Sequence, residues 1–296
     1  MVVRPLHPRT PSILYDISIY GTMNSTRIRQ RHLSHLGKRR CEQILADLVD
    51  RGLLYVSELT VLQVHNGRPI PQRQPRLYSC RPAAVEIVED AFGIGPTRIF
   101  QSQPRADLLW HRFHMSETML AMDESCIAAA HERPTWLLES DQRSNLPKAT
   151  PPNQRSVLYH RFEDGDRTIS LRPDAAFWLD LPQPTNSVIS FLVAFETDLS
   201  SEGLRQLTRT KPLAYHFWLQ RQEFQRYWNR IPDHVRIFWC VPSPRRIASI
   251  VKALASHDDI LAISRFITQE DRDSKNMLTD PVWWHPTEKA HVAFRV

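Results

Sequence analysis

Three acidic positions stand where a metal-assisted reaction on a phosphodiester needs them. Asp174 lies in Arg172-Pro173-Asp174-Ala175-Ala176-Phe177-Trp178, at a kink within a strand-like run. Glu196 and Asp198 follow directly on the apolar stretch 188–195. A carboxylate at one strand end, beside another on a paired strand 22 positions earlier, is an arrangement able to hold Mg²⁺ or Mn²⁺.

Two acids binding a metal while a lysine steadies the attacked phosphate is the logic of the PD-(D/E)XK nuclease core. Asp198 stands where that lysine would be, and the nearest replacement is Lys211, on the next helix. An acid from the preceding long helix, Glu117 or Glu124, is a candidate addition. The same carboxylates can instead end strands and bind backbone amides or arginines, so a catalytic and a structural centre both stand open at this point.

A second kind of chemistry is concentrated earlier. From Arg27 to Arg40 the chain reads R-I-R-Q-R-H-L-S-H-L-G-K-R-R, with six fixed positive charges and no acid. Arg27, Arg29 and Arg31 fall on one helix, and Lys38, Arg39 and Arg40 open the next, ahead of its first buried position. The N-terminal end of the third helix of a helix-turn-helix meets base edges and phosphates in the major groove. Arg68, Arg73 and Arg76 occupy the hairpin that follows, placed to reach a neighbouring groove or the backbone. The alternative is a solvated basic face used for protein contacts. His32 and His35 read as turn residues, and His111 and His114 as helix surface, rather than as metal ligands.

Composition narrows the function classes. Residues 1–100 hold 14 basic against 8 acidic side chains, a net of +6, whereas 101–296 hold 24 of each. The whole excess belongs to a basic front module ahead of a neutral body. Only 8 glycines occur in 296 residues, and neither G-x-x-x-x-G-K-[ST] nor G-x-G-x-x-G is present, which excludes the usual phosphate loops of ATPases and dehydrogenases. Cys41, Cys80, Cys126 and Cys240 form no C-x-x-C pair and are expected as buried free thiols. The longest apolar stretch is too short to span a bilayer, so a cytoplasmic protein without membrane contact is expected.

The elements that position these residues are legible from periodicity. Ile13, Leu14, Ile17 and Tyr20 share a helix face; Asn24 or Ser25 caps a second helix; Cys41, Ile44, Leu45, Leu48 and Val49 mark a third, closed by Gly52. A strand region 53–64, an Asn66-Gly67 turn, a returning strand at 76–79 and a helix from Pro82 follow. Three helices, a hairpin and a helix predict a winged helix-turn-helix over residues 1–95. The body, 96–296, opens with a helix over 106–132 carrying Leu109, Phe113, Leu120 and Ile127 on one stripe. Strands are predicted at 156–162, 168–179, 188–195, 235–241 and 260–267, with helices at 204–228, started or kinked by Pro212, and 245–256. Nearly continuous apolar strands imply a sheet covered on both faces. The expected fold class is α/β (α+β), a winged helix followed by a mixed domain resembling a restriction-endonuclease-like core. Trp283-Trp284-His285 reads as packing.

In their order, Pro173-Asp174-Ala175-Ala176-Phe177, Glu196-Thr197-Asp198, Lys211 with Tyr215, and Ser243-Pro244-Arg245-Arg246 resemble the replication-relaxation family of plasmid and mobile-element proteins. The resemblance covers roughly residues 10–270. Glu196-Thr197-Asp198 follows that family's pattern, while Pro212 beside Lys211 departs from it. The resemblance implies a DNA-binding protein of a mobile element, acting in replication or relaxation, and supplies no active site. The leading expectation is therefore docking on double-stranded DNA through the winged helix. The body would serve homodimerisation, recruitment of other subunits or further DNA contact. The alternatives are a metal-dependent nuclease built on Asp174 and Glu196, and an adaptor in a nucleoprotein complex.

Overall fold

The computed structural model describes residues 5–65, 68–95, 97–143, 146–183, 185–199 and 210–294, and the chain divides into two compact units, 1–117 and 118–296.

The first unit opens with α1 (Thr10–Tyr20), whose Ile13, Leu14, Ile17 and Tyr20 are buried. Gly21, at φ +75°, ends it in a conformation open to glycine at little cost. A two-residue strand, β1 (Met23–Asn24), leads into α2 (Ser25–His32) and α3 (Lys38–Asp50). α3 buries Cys41, Ile44, Leu45 and Leu48 at helical spacing. It closes in a Schellman turn: the Gly52 amide donates to the Val49 carbonyl and the Leu53 amide to that of Leu48, both at 2.9 Å, with Gly52 at φ +73°.

Next come β2 (Leu54–Ser57), β3 (Thr60–His65), β4 (Arg68–Arg73), β5 (Leu77–Cys80) and α4 (Ala84–Phe92). β1, β5 and β2 form an antiparallel sheet in that order, and β3 and β4 form a separate ribbon with His65 opposite Arg68. The strand region read over 53–64 is thus two strands, β2 and β3, and β4 precedes the returning strand β5, because the ribbon leaves the sheet and comes back. The Asn66-Gly67 turn and the side chains of Arg68 and Arg73 lie outside the described residues. α5 (Ala106–Ala128) begins in this unit, where its Leu109 packs with Leu59 and Leu77.

The second unit is built on a seven-stranded sheet ordered β14-β13-β12-β11-β10-β9-β6. Its strands are β6 (Thr135–Leu138), β9 (Ala175–Pro182), β10 (Val188–Thr197), β11 (His234–Val241), β12 (Ser264–Thr268), β13 (Trp283–His285) and β14 (Ala290–Val292). β9 runs antiparallel to β6 and β10, whereas β10, β11 and β12 are mutually parallel. A β7 (His160–Asp164) and β8 (Arg167–Leu171) ribbon lies apart from the sheet. The helices are α6 (Lys211–Gln220), α7 (Gln225–Trp228), α8 (Pro244–Ala253), α9 (Asp258–Ile263) and α10 (Gln269–Ser274). β10, β11 and β12 are buried over most of their length, as apolar runs on both strand faces require. A core of this unit joins Trp178, Leu192, Ala194, Tyr215, Trp218, Ile237, Trp239 and Phe266.

The architecture is a mixed α/β chain, and further readings need correction. The strand read over 168–179 is two, β8 in the ribbon and β9 in the sheet. Pro212 starts α6 near its first turn, and the helix stops at Gln220, where Gln222 turns to φ +49° before α7. Residues 260–263, read as the start of a strand, belong to α9, whose first turn carries Asp258 and Asp259 where they favour a helix N-terminus. Ile127 is 48% exposed near the end of α5, so the apolar stripe of that helix does not extend to its last turn. His114 is buried against Trp110, ring centroids 4.2 Å apart, rather than on the helix surface. Trp283 is buried and stacks on Phe238 at 4.0 Å, as a packing residue. All four cysteines are buried and free. No helix among the described residues is long and apolar enough to cross a membrane.

Candidate functional sites: a basic helix pair and a carboxylate centre

α2 is a polar helix held in place by its edges. The Asn24 side chain accepts from the Arg27 amide at 2.8 Å, satisfying one of the helix's open N–H groups. Asn24 Nδ2 also donates to Glu117 Oε1 at 2.9 Å, and Arg27 Nε pairs with Glu117 Oε2 at 2.8 Å. Glu117, considered above as an additional acid for the body, is thus bound within the first unit. Arg31 Nε and His32 Nε2 both meet Asp16 Oδ2 at 2.9 Å. Burial opposes charge on Asp16, but His32 and Arg31 outweigh it and hold the carboxyl below its ordinary value. Arg27 and Arg31 therefore bind α2 to its neighbours, and Arg29 is half-buried.

The first turn of α3 is different. Lys38, Arg39 and Arg40 are all exposed, Gly37 supplies no side-chain cap, and the turn holds no acid. Arg40 Nη1 reaches Gln43 at 3.3 Å. Three cations at the positive end of a helix oppose the helix dipole, so this turn carries an electrostatic cost that an anion would relieve. Arg76 is exposed and pairs with Glu58 at 2.9 Å.

In the second unit the acids come together as the strand register dictates. Phe195 faces Ala175 at the end of the β9–β10 pair, and Asp174 and Glu196 are the next residue on each side, near enough for the Asp174 carboxylate to act on Glu196. The Asp174 amide donates to the Phe195 carbonyl at 3.1 Å, and Asp174 Oδ2 accepts from the Thr197 amide at 2.6 Å. Glu196 is 1% exposed. Lys211 and Tyr215 lie one turn apart on α6 and converge on it, Lys211 Nζ 2.8 Å from Oε2 and Tyr215 Oη donating to Oε1 at 2.6 Å. The Lys211 ammonium also lies 5.7 Å from the Trp239 ring. Burial raises the Glu196 carboxyl to about 7, with Lys211 opposing the rise and Asp174 adding to it. Burial and Glu196 push the Tyr215 phenol well above its ordinary value.

Asp198 is held separately. Its Oδ2 accepts from Arg246 Nε at 2.8 Å and from Nη2 at 2.7 Å. Ser243 caps α8 and Pro244 opens it, which carries Arg246 round the first turn to the strand end. Sequence reasoning named Tyr215 and Arg246 only as motif letters; the structure gives each a carboxylate.

The donor set does not fit a preformed divalent site. Tyr215 donates to Glu196 Oε1, and the Lys211 ammonium, paired with Oε2, fills the position where a cation would approach. Among the described residues, no group of three or more His, Cys, Asp or Glu is gathered to hold a metal ion. Lys211 offsets the charge of Glu196, and Arg246 that of Asp198.

Compared with solved structures, the chain matches the restriction endonuclease FokI bound to DNA, at 9% identity and a TM-score of 0.23, over 90% of this chain and 68% of that one. At that score the likeness carries no argument. No family model matches the chain, and no curated protein matches it.

Proposed function

We propose that this chain binds duplex DNA, its first unit acting as a winged helix that lays the start of α3 in the major groove. The observation that carries this reading is the exposed, acid-free first turn of α3 with Lys38, Arg39 and Arg40. The order of α1, α2, α3 and a three-stranded sheet interrupted by the β3–β4 ribbon supports it. Arg29 and Arg76 are placed to add backbone contacts, whereas Arg27 and Arg31 act mainly by fixing α2. The second unit is a restriction-endonuclease-like body serving assembly, by homodimerisation or recruitment of partners, in plasmid or mobile-element replication as the family resemblance implies. Salt-dependent gel shifts test the reading. Lys38→Ala/Arg39→Ala/Arg40→Ala should weaken duplex binding by at least about a hundredfold, given roughly 1–3 kcal/mol for each base-reading contact. Unchanged shifts would refute it.

A second reading, a Mg²⁺- or Mn²⁺-dependent nuclease, is favoured by one observation, the cross-strand placement of Asp174 and Glu196. For a metal to enter, Lys211 would have to leave Glu196 and face the phosphate instead. Metal-dependent nicking that disappears in Asp174→Ala would establish it; intact duplex, nicked and single-stranded substrates would exclude it.

A further inference from the structure

A second polar cluster lies in the same unit as the carboxylate centre. It surrounds a cavity of about 250 Å³ lined by Leu137, Arg143, Val157, Arg226 and Tyr227. We propose that this cavity seats the phosphate of a phosphodiester, with its two non-bridging oxygens taken by the Arg143 and Arg226 guanidiniums.

The charges and their partners carry the inference. Arg226 Nη1 donates to Glu223 Oε2 at 2.9 Å, and the same carboxylate oxygen faces His160 Nδ1 at 3.5 Å. Arg143 Nη2 donates to the Tyr159 carbonyl, a neutral partner. His160 is buried, and burial together with Arg226 pushes it down to about 4, so at neutral pH it brings no charge. Its Nε2 meets the Tyr227 hydroxyl, which fixes the phenol ring as a wall. Two guanidiniums against one carboxylate leave a local charge of +1, and burial and Arg226 both disfavour the charged form of Arg143. An anion entering between them relieves that repulsion.

The balance favours a monoanion over a dianion. A phosphodiester carries a single negative charge and cancels +1, whereas a phosphomonoester at neutral pH overshoots it. Leu137, Val157 and the Tyr227 ring offer apolar surface suited to a sugar. The Trp218 ring lies 6.4 Å from that of His160 and 5.9 Å from that of Tyr215, so the seat lies just beyond Trp218 from Glu196.

The experiment uses the full-length Lys38→Ala/Arg39→Ala/Arg40→Ala protein, so that α3 contributes nothing and the result is separable from the duplex-binding reading. The dinucleotide dTpdT and inorganic phosphate are titrated at constant ionic strength, and ³¹P line broadening is read. Saturable broadening of dTpdT is expected, weakened at least tenfold by Arg143→Gln/Arg226→Gln and changed less than threefold by Arg143→Lys/Arg226→Lys. Arg226→Gln alone, at a side chain 43% exposed, gives the same readout should the double variant misfold. Affinity unchanged in the Gln variants, no saturation, or binding of inorganic phosphate without dTpdT would each overturn the proposal.

Discussion

Glu196 and Lys211 set one problem at the scale of a residue pair: a carboxylate almost without solvent, and one ammonium to hold its charge. Removing the ammonium leaves that charge buried, a loss of about 3 kcal/mol where the pair is worth keeping. Lys211→Met should therefore destabilise the protein by about that amount at pH 8. The loss should shrink towards pH 5.5, because Glu196 can then fold with a proton. Urea midpoints across that range check it, and a loss independent of pH would show that Lys211 acts through packing.

The intact pair has a sign of its own. Glu196 folds with its carboxyl raised from 4.5 to about 7, so between those values the folded state holds more protons and stability falls as pH rises. His160 folds with its imidazole lowered from 6.5 to about 4. Over that window the unfolded state holds more protons, and stability rises with pH. The two contributions oppose each other, and Glu196→Gln should unmask the second. Its stability should climb more steeply than that of the unaltered chain from pH 5 to 6.5, as read by Tm in matched buffers. Parallel profiles would mean that Glu196 does not titrate in this window.

At the scale of elements, legibility followed the local signal. α1 and α3 could be read because apolar residues recur at helical spacing and glycines end them, and β10 and β11 because unbroken apolar runs have few alternatives. α9 was misread because Ile260-Leu261-Ala262-Ile263 suits a short helix or a strand equally, and only the acids before it and the packing of Ile260 decide. In the candidate centre, the acids and Lys211 were visible as spacing. The partner that finishes it was not, since Arg246 lies 48 positions from Asp198; in the second polar cluster, likewise, Tyr227 lies 67 from His160. α2 shows how much rests on such edges, for its buried residue is Ile28. Asn24→Ala removes both its cap and a donor to Glu117, and should cost about 2 kcal/mol, roughly 1 from the cap and 1 from the hydrogen bond. Thr26→Ala, an exposed site on the same helix, should change stability by less than about 0.5 kcal/mol. Denaturant unfolding monitored by far-UV circular dichroism separates the two, and equal losses would refute the capping role.

At the scale of the whole molecule, the charge excess of +6 belongs to residues 1–100, but folding removes part of it from service. Arg27 and Arg31 are engaged by Glu117 and Asp16. The first turn of α3 retains three exposed cations with no acid in that turn. If the chain binds duplex as proposed, that binding should respond to salt through few contacts, despite the pI near 9.3. Each phosphate neutralised contributes about −0.9 to the slope of log K against log salt. If Lys38, Arg39 and Arg40 all meet phosphates, their replacement by Ala should flatten that slope by nearly 3. If they read bases instead, affinity should fall with the slope nearly intact and with discrimination between sequences lost. Arg31→Ala should leave the slope almost unchanged while lowering stability, because its charge is already spent on Asp16. Fluorescence anisotropy with one duplex from 50 to 300 mM NaCl distinguishes these outcomes. A slope reduced by Arg31→Ala as much as by Lys38→Ala would show that the ion pair with Asp16 opens when DNA binds.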